Sequence, residues 1–191
     1  MCYVKKLIML FGALLLVGCG DMMDDLSPSG SDNREAVVIG SSGNMPGQIV
    51  ADFALKDSLG NDFVLSDYLD GGSSRADVVV LYFTMWCPIC LSHSDHLYNN
   101  VIPRFSNRGS VVYALVDYVS GSVAATRASE RANGFANSVF ITLSDVDQSV
   151  YDQLNGAMGT VIVVDSDGTI LLNEDYRNGA AMANILDQQL P

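Results

Sequence analysis

The chain has 191 residues, of which 49% are hydrophobic, and it carries a formal net charge of −12 at pH 7. A surface this acidic repels phosphate backbones and anionic headgroups, so the charge argues against nucleic acid as a partner. Length and composition are those of a globular protein with one domain of ordinary size.

The N-terminus has the features of an export signal. Lys5 and Lys6 make its start positive, and residues 7–17 form an apolar stretch that is short for a bilayer span. The stretch ends at residues 16–19, whose sequence Leu-Val-Gly-Cys resembles the lipobox of bacterial lipoproteins. An uncleaved anchor helix is the alternative, and the short stretch disfavours it.

The lipobox resemblance implies a signal peptide over residues 1–18 and a mature chain that begins at a lipid-modified Cys19. Acyl chains such as palmitate would hold the protein on a membrane, facing the periplasm. Gly20 follows the cysteine, and the absence of aspartate there favours the outer membrane over the inner one. Loss of Lys5 and Lys6 with the signal moves the net charge from −12 to −14.

The rest of the chain divides into a tether and a domain. Residues 19–47 are acidic and rich in Ser and Gly, without sustained hydrophobic periodicity, and they predict a flexible tether. Residues 48–191 are enough for one compact domain with a substantial core, and we expect a monomer.

Strand-like and helix-like segments alternate along the predicted domain. Residues 52–55 and 62–65 flank a Gly60-Asn61 turn and predict a β-hairpin, and the continuously apolar residues 78–84 predict a buried strand. Further strands are predicted at residues 110–116, 140–143, 159–164 and 169–172, and helices at residues 87–101, 122–132, 148–154 and from residue 179. This order predicts an α/β fold with a central mixed β-sheet flanked by helices.

Two cysteines separated by two residues, Cys87 and Cys90, follow the predicted strand at residues 78–84 and open the predicted helix. A cysteine at a helix N-terminus meets unpaired backbone N–H groups, which lower its pKa from about 8.5. The second cysteine lies one turn on, close enough to resolve a mixed disulfide. Half of a zinc site is the alternative, but no later cysteine completes it. Because Cys2 leaves with the signal and Cys19 is lipidated, these two are the mature chain's only expected thiols.

Together these segments resemble the redoxin branch of the thioredoxin superfamily, particularly the exported TlpA/ResA-type thiol–disulfide oxidoreductases. The resemblance covers residues 46–191 and rests on the entry hairpin, the segment at residues 82–90, and the later strand and hairpin at residues 143–145 and 163–168. It implies a thioredoxin-like fold with an N-terminal β-hairpin, and an enzyme that reduces disulfides of partner proteins without a cofactor or metal. It also implies that Cys87 attacks and Cys90 resolves.

The resemblance places four residues where a substrate docks, namely Trp86, Pro88, Met158 and Gly159. Thioredoxin-like proteins have a cis-proline at the position of Gly159. We expect a trans peptide there, because residues other than proline pay about 2.5–4 kcal/mol for the cis form. The docking edge is therefore expected to differ from that of the family.

The groups that move protons differ from the family pattern as well. ResA-like proteins often have a glutamate three residues after the second cysteine, where this chain has His93. We predict that His93 exchanges a proton with Cys90, with a plain surface imidazole as the alternative. His96, one turn further, is expected to be solvated. Leu81 stands where many thioredoxins have a buried acid.

Two other functions remain open. A copper-binding, chaperone-like module would use Cys87, Cys90 and His93 as its ligands. A peroxiredoxin-type peroxidase is suggested by Thr84, three residues before Cys87, although the chain lacks that family's proline four residues before the threonine. The dithiol interpretation remains the favoured one.

Overall fold

The computed structural model describes residues 36–191, so the predicted signal peptide, Cys19 and most of the predicted tether lie outside the described residues. The strands are β1 (Ala54–Asp57), β2 (Asp62–Val64), β3 (Val78–Thr84), β4 (Val111–Asp117), β5 (Ile141–Ser144), β6 (Thr160–Asp165) and β7 (Ile170–Asp175). The helices are α1 (Pro88–His96), α2 (Val123–Ala132), α3 (Ser149–Leu154) and α4 (Ala180–Gln189). Within residues 36–191, none of the helices combines the length and apolar character that a bilayer span needs.

The seven strands form one mixed sheet in the order β2-β1-β5-β4-β3-β6-β7. Strand β3 lies inside it, parallel to β4 and antiparallel to β6, and all seven of its residues are buried. Side chains alternate across a strand, so Val80 and Tyr82 point to the face covered by α1 and α4, whereas Leu81 and Phe83 point to the opposite face. The position of Tyr82 beneath α1 matters for the site.

The predicted α/β fold is confirmed: a central mixed sheet is flanked by helices and begins with a hairpin. Strands β1 and β2 pair antiparallel around the predicted turn, and the predicted strand at residues 78–84 is β3. The predicted helix at residues 87–101 is α-helical only as far as His96. A π-helical turn (Leu97–Val101) and a 3-10 turn (Ile102–Arg104) follow, because Pro103 has no N–H with which to continue the α-helical ladder.

Part of the predicted tether belongs to the hydrogen-bonded body of the domain. The Gly47 N–H donates to the Ile170 carbonyl at 2.8 Å, and the Asn173 side chain donates to the Asn44 carbonyl at 2.7 Å. Strand β7 is at the edge of the sheet and offers unpaired backbone groups, which this segment satisfies. Residues 41–47, assigned to the tether by composition, therefore lie against the sheet.

Candidate active site: a cysteine pair at the N-terminus of α1

The site is built where β3 ends and α1 begins. Cys87 is the N-cap residue of α1, and its sulfur accepts the Cys90 N–H at 3.3 Å. Pro88 occupies the start of the helix, where a missing N–H costs nothing. The Cys87 and Cys90 sulfurs are 3.0 Å apart, well beyond the S–S bond length of about 2.05 Å, so both are free thiols.

The two thiols have opposite environments. Partial burial alone would raise the pKa of Cys87, but hydrogen bonds from the Cys90 thiol and from the backbone N–H groups of Cys90 and Ile89 outweigh it, so the pKa lies below its ordinary value. Cys90 is fully buried, and burial followed by its hydrogen bond to Cys87 raises its pKa. The geometry therefore provides one thiol that ionises readily and one that stays protonated.

Trp86 is held in an uncommon backbone conformation directly before the cysteines. Its φ is +60°, in the left-handed region that costs a non-glycine residue about 1–3 kcal/mol. Two hydrogen bonds hold it there: its N–H donates to Thr84 Oγ1 at 3.1 Å, and its indole Nε1 donates to Asp117 Oδ2 at 2.8 Å. Sequence reasoning missed Asp117, although its place at the carboxyl end of β4, beside β3, was the available signal.

Met158 and Gly159 approach the cysteines from the other side. Met158 is 41% exposed, and its Sδ lies 3.4 Å from Cys87 Sγ. Gly159 is buried with φ +85°, and residues 36–191 contain no cis peptide bond, so the Met158–Gly159 peptide is trans. The Gly159 N–H donates to the Phe83 carbonyl at 3.0 Å, and its carbonyl accepts the Tyr176 N–H at 2.7 Å. Gly159 thus positions Met158 and has no free N–H to offer a substrate.

His93 and His96 belong to a cluster with two tyrosines that sequence reasoning missed. Tyr82 Oη and His93 Nδ1 are 3.0 Å apart, and the His93 ring packs on Tyr176 at 4.9 Å between centroids. His96 was expected to be solvated, but it is half-buried and its Nδ1 lies 2.6 Å from Tyr176 Oη. The residue parity of β3 could have revealed Tyr82, because every second residue of that strand faces α1.

Within this cluster the pKa values of His93 and Tyr82 are shifted in opposite directions. Burial, and then the neighbouring His96, lowers the pKa of His93, so the imidazole is neutral near pH 7. Burial, followed by the nearby Cys90 and Cys87 sulfurs, raises the pKa of Tyr82 far above its ordinary value, and the phenol also interacts with the Cys90 side chain. The Tyr82 hydroxyl therefore contacts the His93 imidazole and lies near the cysteine sulfurs.

The three residues that a copper-binding module would use, Cys87, Cys90 and His93, do not come together as one metal site. In the part of the chain that the structure describes, no three His, Cys, Asp or Glu side chains come together as a metal site. His93 Nδ1 is instead occupied by the Tyr82 hydroxyl. Cys87, Cys90 and His93 do not form a preorganised copper site.

Comparison with known proteins places this arrangement in a family. The AhpC/TSA family profile matches residues 46–172, about two thirds of the chain. The chain belongs to the AhpC/TSA family. The resemblance to the redoxin branch of the thioredoxin superfamily is thereby confirmed. No curated protein is similar enough to count as a relative.

Solved structures share the fold of this AhpC/TSA protein at low sequence identity. One is a proposed protein disulfide isomerase from Bacteroides thetaiotaomicron, with a TM-score of 0.61, 17% identity, and coverage of 75% of this chain and 87% of that one. A secreted Mycobacterium tuberculosis disulfide oxidoreductase homologous to E. coli DsbE has a TM-score of 0.54, 18% identity, and coverage of 71% and 95%. Peroxidoxin BcpB from Mycobacterium tuberculosis has a TM-score of 0.55, 23% identity, and coverage of 75% and 95%. At these identities the likeness shows the thioredoxin-like fold alone.

Thr84 gives little support to peroxidase chemistry in this AhpC/TSA protein. The side chain is fully buried, and its Oγ1 accepts the Trp86 N–H at 3.1 Å. That hydrogen bond stabilises the left-handed turn before Cys87. The threonine that suggested a peroxidase is explained by its role in shaping this turn.

Proposed function

We propose that the protein is an extracytoplasmic thiol–disulfide oxidoreductase that reduces disulfides in partner proteins. One observation carries the proposal: a partly exposed thiol of lowered pKa lies 3.0 Å from a fully buried thiol of raised pKa at the start of a helix. Thiolate is the nucleophile in disulfide exchange, and the protonated Cys90 stabilises the Cys87 thiolate by donating a hydrogen bond to it. Membership of the AhpC/TSA family agrees with thiol chemistry.

The reaction has two exchange steps. The Cys87 thiolate attacks one sulfur of the partner disulfide, forming a mixed disulfide and releasing the partner's other sulfur as a thiolate. Cys90 then loses its proton and attacks the Cys87 sulfur, so the second partner sulfur leaves and Cys87–Cys90 becomes a disulfide. The partner gains two electrons and two protons, and an external dithiol returns the cysteine pair to its reduced state. Since the sulfurs start 3.0 Å apart, ring closure needs a shift of only about 1 Å.

Deprotonation of the buried Cys90 thiol is the difficult part of the second step, because burial disfavours its thiolate. The Tyr82 hydroxyl can accept the thiol proton while passing its own to His93 Nδ1, 3.0 Å away. The high pKa of Tyr82 keeps it a phenol between turnovers, and the lowered pKa of His93 leaves a neutral imidazole to receive the proton. His93 thus acts as general base through Tyr82 and not by direct contact.

The surface around Cys87 suits an unfolded or extended polypeptide. Met85, Ile89 and Met158 are 41%, 55% and 41% exposed, and Pro88 is exposed as well. An apolar rim around a reactive thiol favours protein disulfides over small charged ones, because apolar side chains gain by leaving water. Half-buried Trp86 completes the rim.

The proposal includes a location. A lipid on Cys19 would anchor a monomeric protein to the outer membrane facing the periplasm, and its support is the lipobox resemblance together with Gly20. Thiol exchange in that compartment meets disulfide-containing partners, which are rare in the cytosol.

Trapping tests the function. Cys90→Ala should accumulate partner proteins in mixed disulfides with Cys87, seen as reducible adducts on non-reducing gels of envelope fractions. Cys87→Ala is the matched control and should trap none, while the unmodified protein should reduce insulin disulfides with a dithiol as electron source. Failure of the unmodified protein to reduce insulin, or equal trapping by both variants, contradicts the proposal. Rapid consumption of hydrogen peroxide would point to a peroxidase.

A further inference from the structure

Three sulfur atoms converge at the start of α1. Cys87 Sγ lies 3.0 Å from Cys90 Sγ and 3.4 Å from Met158 Sδ. Disulfide chemistry uses only the two thiols, and the apolar rim around Cys87 requires an apolar side chain at position 158 but not a sulfur atom. Packing alone explains it poorly, since Met158 is 41% exposed.

The backbone holds Met158 in place. Gly159, the next residue, is buried, and its N–H and carbonyl bond to Phe83 and Tyr176 at 3.0 and 2.7 Å. These bonds fix the chain between β3 and β7 and keep Met158 beside Cys87. The thioether position is therefore set by the sheet, while its unbranched side chain remains adjustable.

The ligand chemistry selects one kind of metal ion. Thiolate and thioether sulfurs are soft ligands that favour Cu(I). Zinc is bound by Cys, His or carboxylate ligands, and a thioether is not among them. The nearby His93 does not supply a ligand either, because its Nδ1 is hydrogen-bonded to the Tyr82 hydroxyl. We propose that Cys87, Cys90 and Met158 form a three-sulfur site for a single Cu(I) ion.

Binding requires a small opening of the cluster. With metal–sulfur bonds of about 2.3 Å, three sulfurs around one ion lie about 4 Å apart. The contacts at 3.0 and 3.4 Å must each lengthen, and the movable members, half-buried Cys87 and exposed Met158, lie on the solvent side. Buried Cys90 is the fixed ligand, so the ion enters from the surface without disturbing the core.

Binding of Cu(I) at this site involves no change in the oxidation state of copper or sulfur. Cu(I) displaces the two thiol protons to solvent, forms two copper–thiolate bonds and one copper–thioether bond, and remains Cu(I). A bound ion occupies both thiolates, so copper binding and disulfide formation exclude each other. The same cysteine pair therefore alternates between metal-bound and redox-active states.

Competition with a chromophoric Cu(I) chelator tests the site. The reduced full chain would be titrated anaerobically against bicinchoninate, and we expect one Cu(I) per chain. Met158→Leu keeps the side-chain volume but removes the sulfur, and it should weaken Cu(I) binding at least tenfold. Circular dichroism of the variant checks its fold.

Two variants serve as matched controls. Met85→Leu removes an equally exposed methionine, 41% accessible, from the neighbouring loop and should leave Cu(I) affinity unchanged. His93→Ala should also leave it unchanged. No competition by the unmodified chain, equal affinity of Met158→Leu, or a loss confined to His93→Ala would each overturn the three-sulfur site. The titration involves no disulfide, so its outcome is independent of the insulin assay.

Discussion

Cys87 and Cys90 are one helical turn apart, yet only Cys87 reaches solvent. The hydrogen bond from the Cys90 thiol stabilises the Cys87 thiolate and lowers its pKa, whereas burial and then the same hydrogen bond raise the pKa of Cys90. A difference in reactivity therefore follows from burial and helix geometry before any partner arrives.

Alkylation should reveal this asymmetry. In Cys90→Ser, the remaining Cys87 should react with iodoacetamide with a midpoint below pH 8.5 or so, the ordinary thiol value. In Cys87→Ser, Cys90 should react at least tenfold more slowly near pH 7, since it is buried. Mass spectrometry of quenched samples across pH 5–10 gives both profiles. A faster Cys90 would reverse the assigned roles.

Tyr82→Phe isolates the proton route, because it removes one hydroxyl and keeps the ring that packs under α1. Resolution of a Cys87 mixed disulfide should slow about tenfold or more at pH 7. His93→Ala should slow it similarly, and the double variant should be no slower than either single one, because the two residues act in one route. Stopped-flow release of a chromophoric thiol measures the rate.

The pH profile adds an independent check. The rate in the unmodified protein should fall as pH drops below the lowered pKa of His93, because the protonated imidazole accepts nothing. His93→Ala should lose that inflection. Additive slowing, or an unchanged profile, would contradict a shared route.

At the residue scale, sequence reasoning identified the cysteines and, through the family resemblance, several residues beside them, among them Trp86, Met158 and His93. It did not identify Tyr82, Asp117 and Tyr176. A cysteine pair that follows a buried strand predicts a position at the N-terminus of the next helix, and Cys87 and Cys90 lie there. Tyr82, Asp117 and Tyr176 act through contacts with residues 11 to 80 positions away along the chain. Such contacts depend on which faces of the sheet and helix meet, and local patterns do not encode this.

Among the elements, the β-strands were the most predictable. Continuous apolar runs mark buried strands, and β3 and β6 were recognised because both lie inside the sheet with helices on its faces. Sequence analysis did not predict the π-helical turn after α1 or the docking of residues 41–47 on β7. The π-helical turn accommodates Pro103, whose missing N–H interrupts the α-helical ladder, whereas the docked segment fills an open sheet edge and depends on tertiary contacts.

The loop before β6 should be sensitive to a methyl group at Gly159. Its φ of +85° costs an alanine about 1–2 kcal/mol of stability. Gly60→Ala is the matched control, because Gly60 has φ +89° in an open hairpin turn. Urea unfolding should show similar losses for both variants, but only Gly159→Ala should also slow insulin reduction. Equal insulin rates would show that the loop does not position Met158.

The turn between β6 and β7 introduces a pH dependence of stability. Burial, and then sharing of a proton with Asp167, raises the pKa of Asp165 to about 6. The folded state prefers its protonated form, so this stabilisation is complete below the unfolded value of about 3.9 and is lost as pH rises through 6.

Asp165→Asn should remove that dependence. The amide oxygen can still accept the Thr169 N–H, now 2.9 Å from Oδ1, but it carries no charge beside Asp167. Relative to the unmodified protein, the free energy of unfolding of the variant should increase between pH 4 and pH 7. Asp175→Asn, an exposed acid at the end of β7, is the control. If the difference in unfolding free energy between Asp165→Asn and the unmodified protein stays constant from pH 4 to pH 7, Asp165 is not the source of the pH dependence.

For the molecule as a whole, the proposed lipid anchor at Cys19 can be tested by substitution of that cysteine. Cys19→Ser should leave an unprocessed precursor without lipid, because the thioether to the diacyl group cannot form. Fractionation of cells and metabolic labelling with palmitate would measure this, with Cys2→Ser as the control for an incidental cysteine. Unchanged processing and fractionation of Cys19→Ser would remove the anchor from the proposed function.

The hydrogen bond from Trp86 to Asp117 has a consequence for the complete protein. The chain has one tryptophan, Trp86, which directly precedes Cys87, and its indole Nε1 donates to the buried Asp117 carboxylate at 2.8 Å. Its fluorescence therefore comes from a single fixed place and reports on neighbouring sulfur, which quenches indole emission differently as thiol, disulfide or metal thiolate. The protein thus contains an intrinsic optical probe, and each change at the cysteines can be followed in real time without a label.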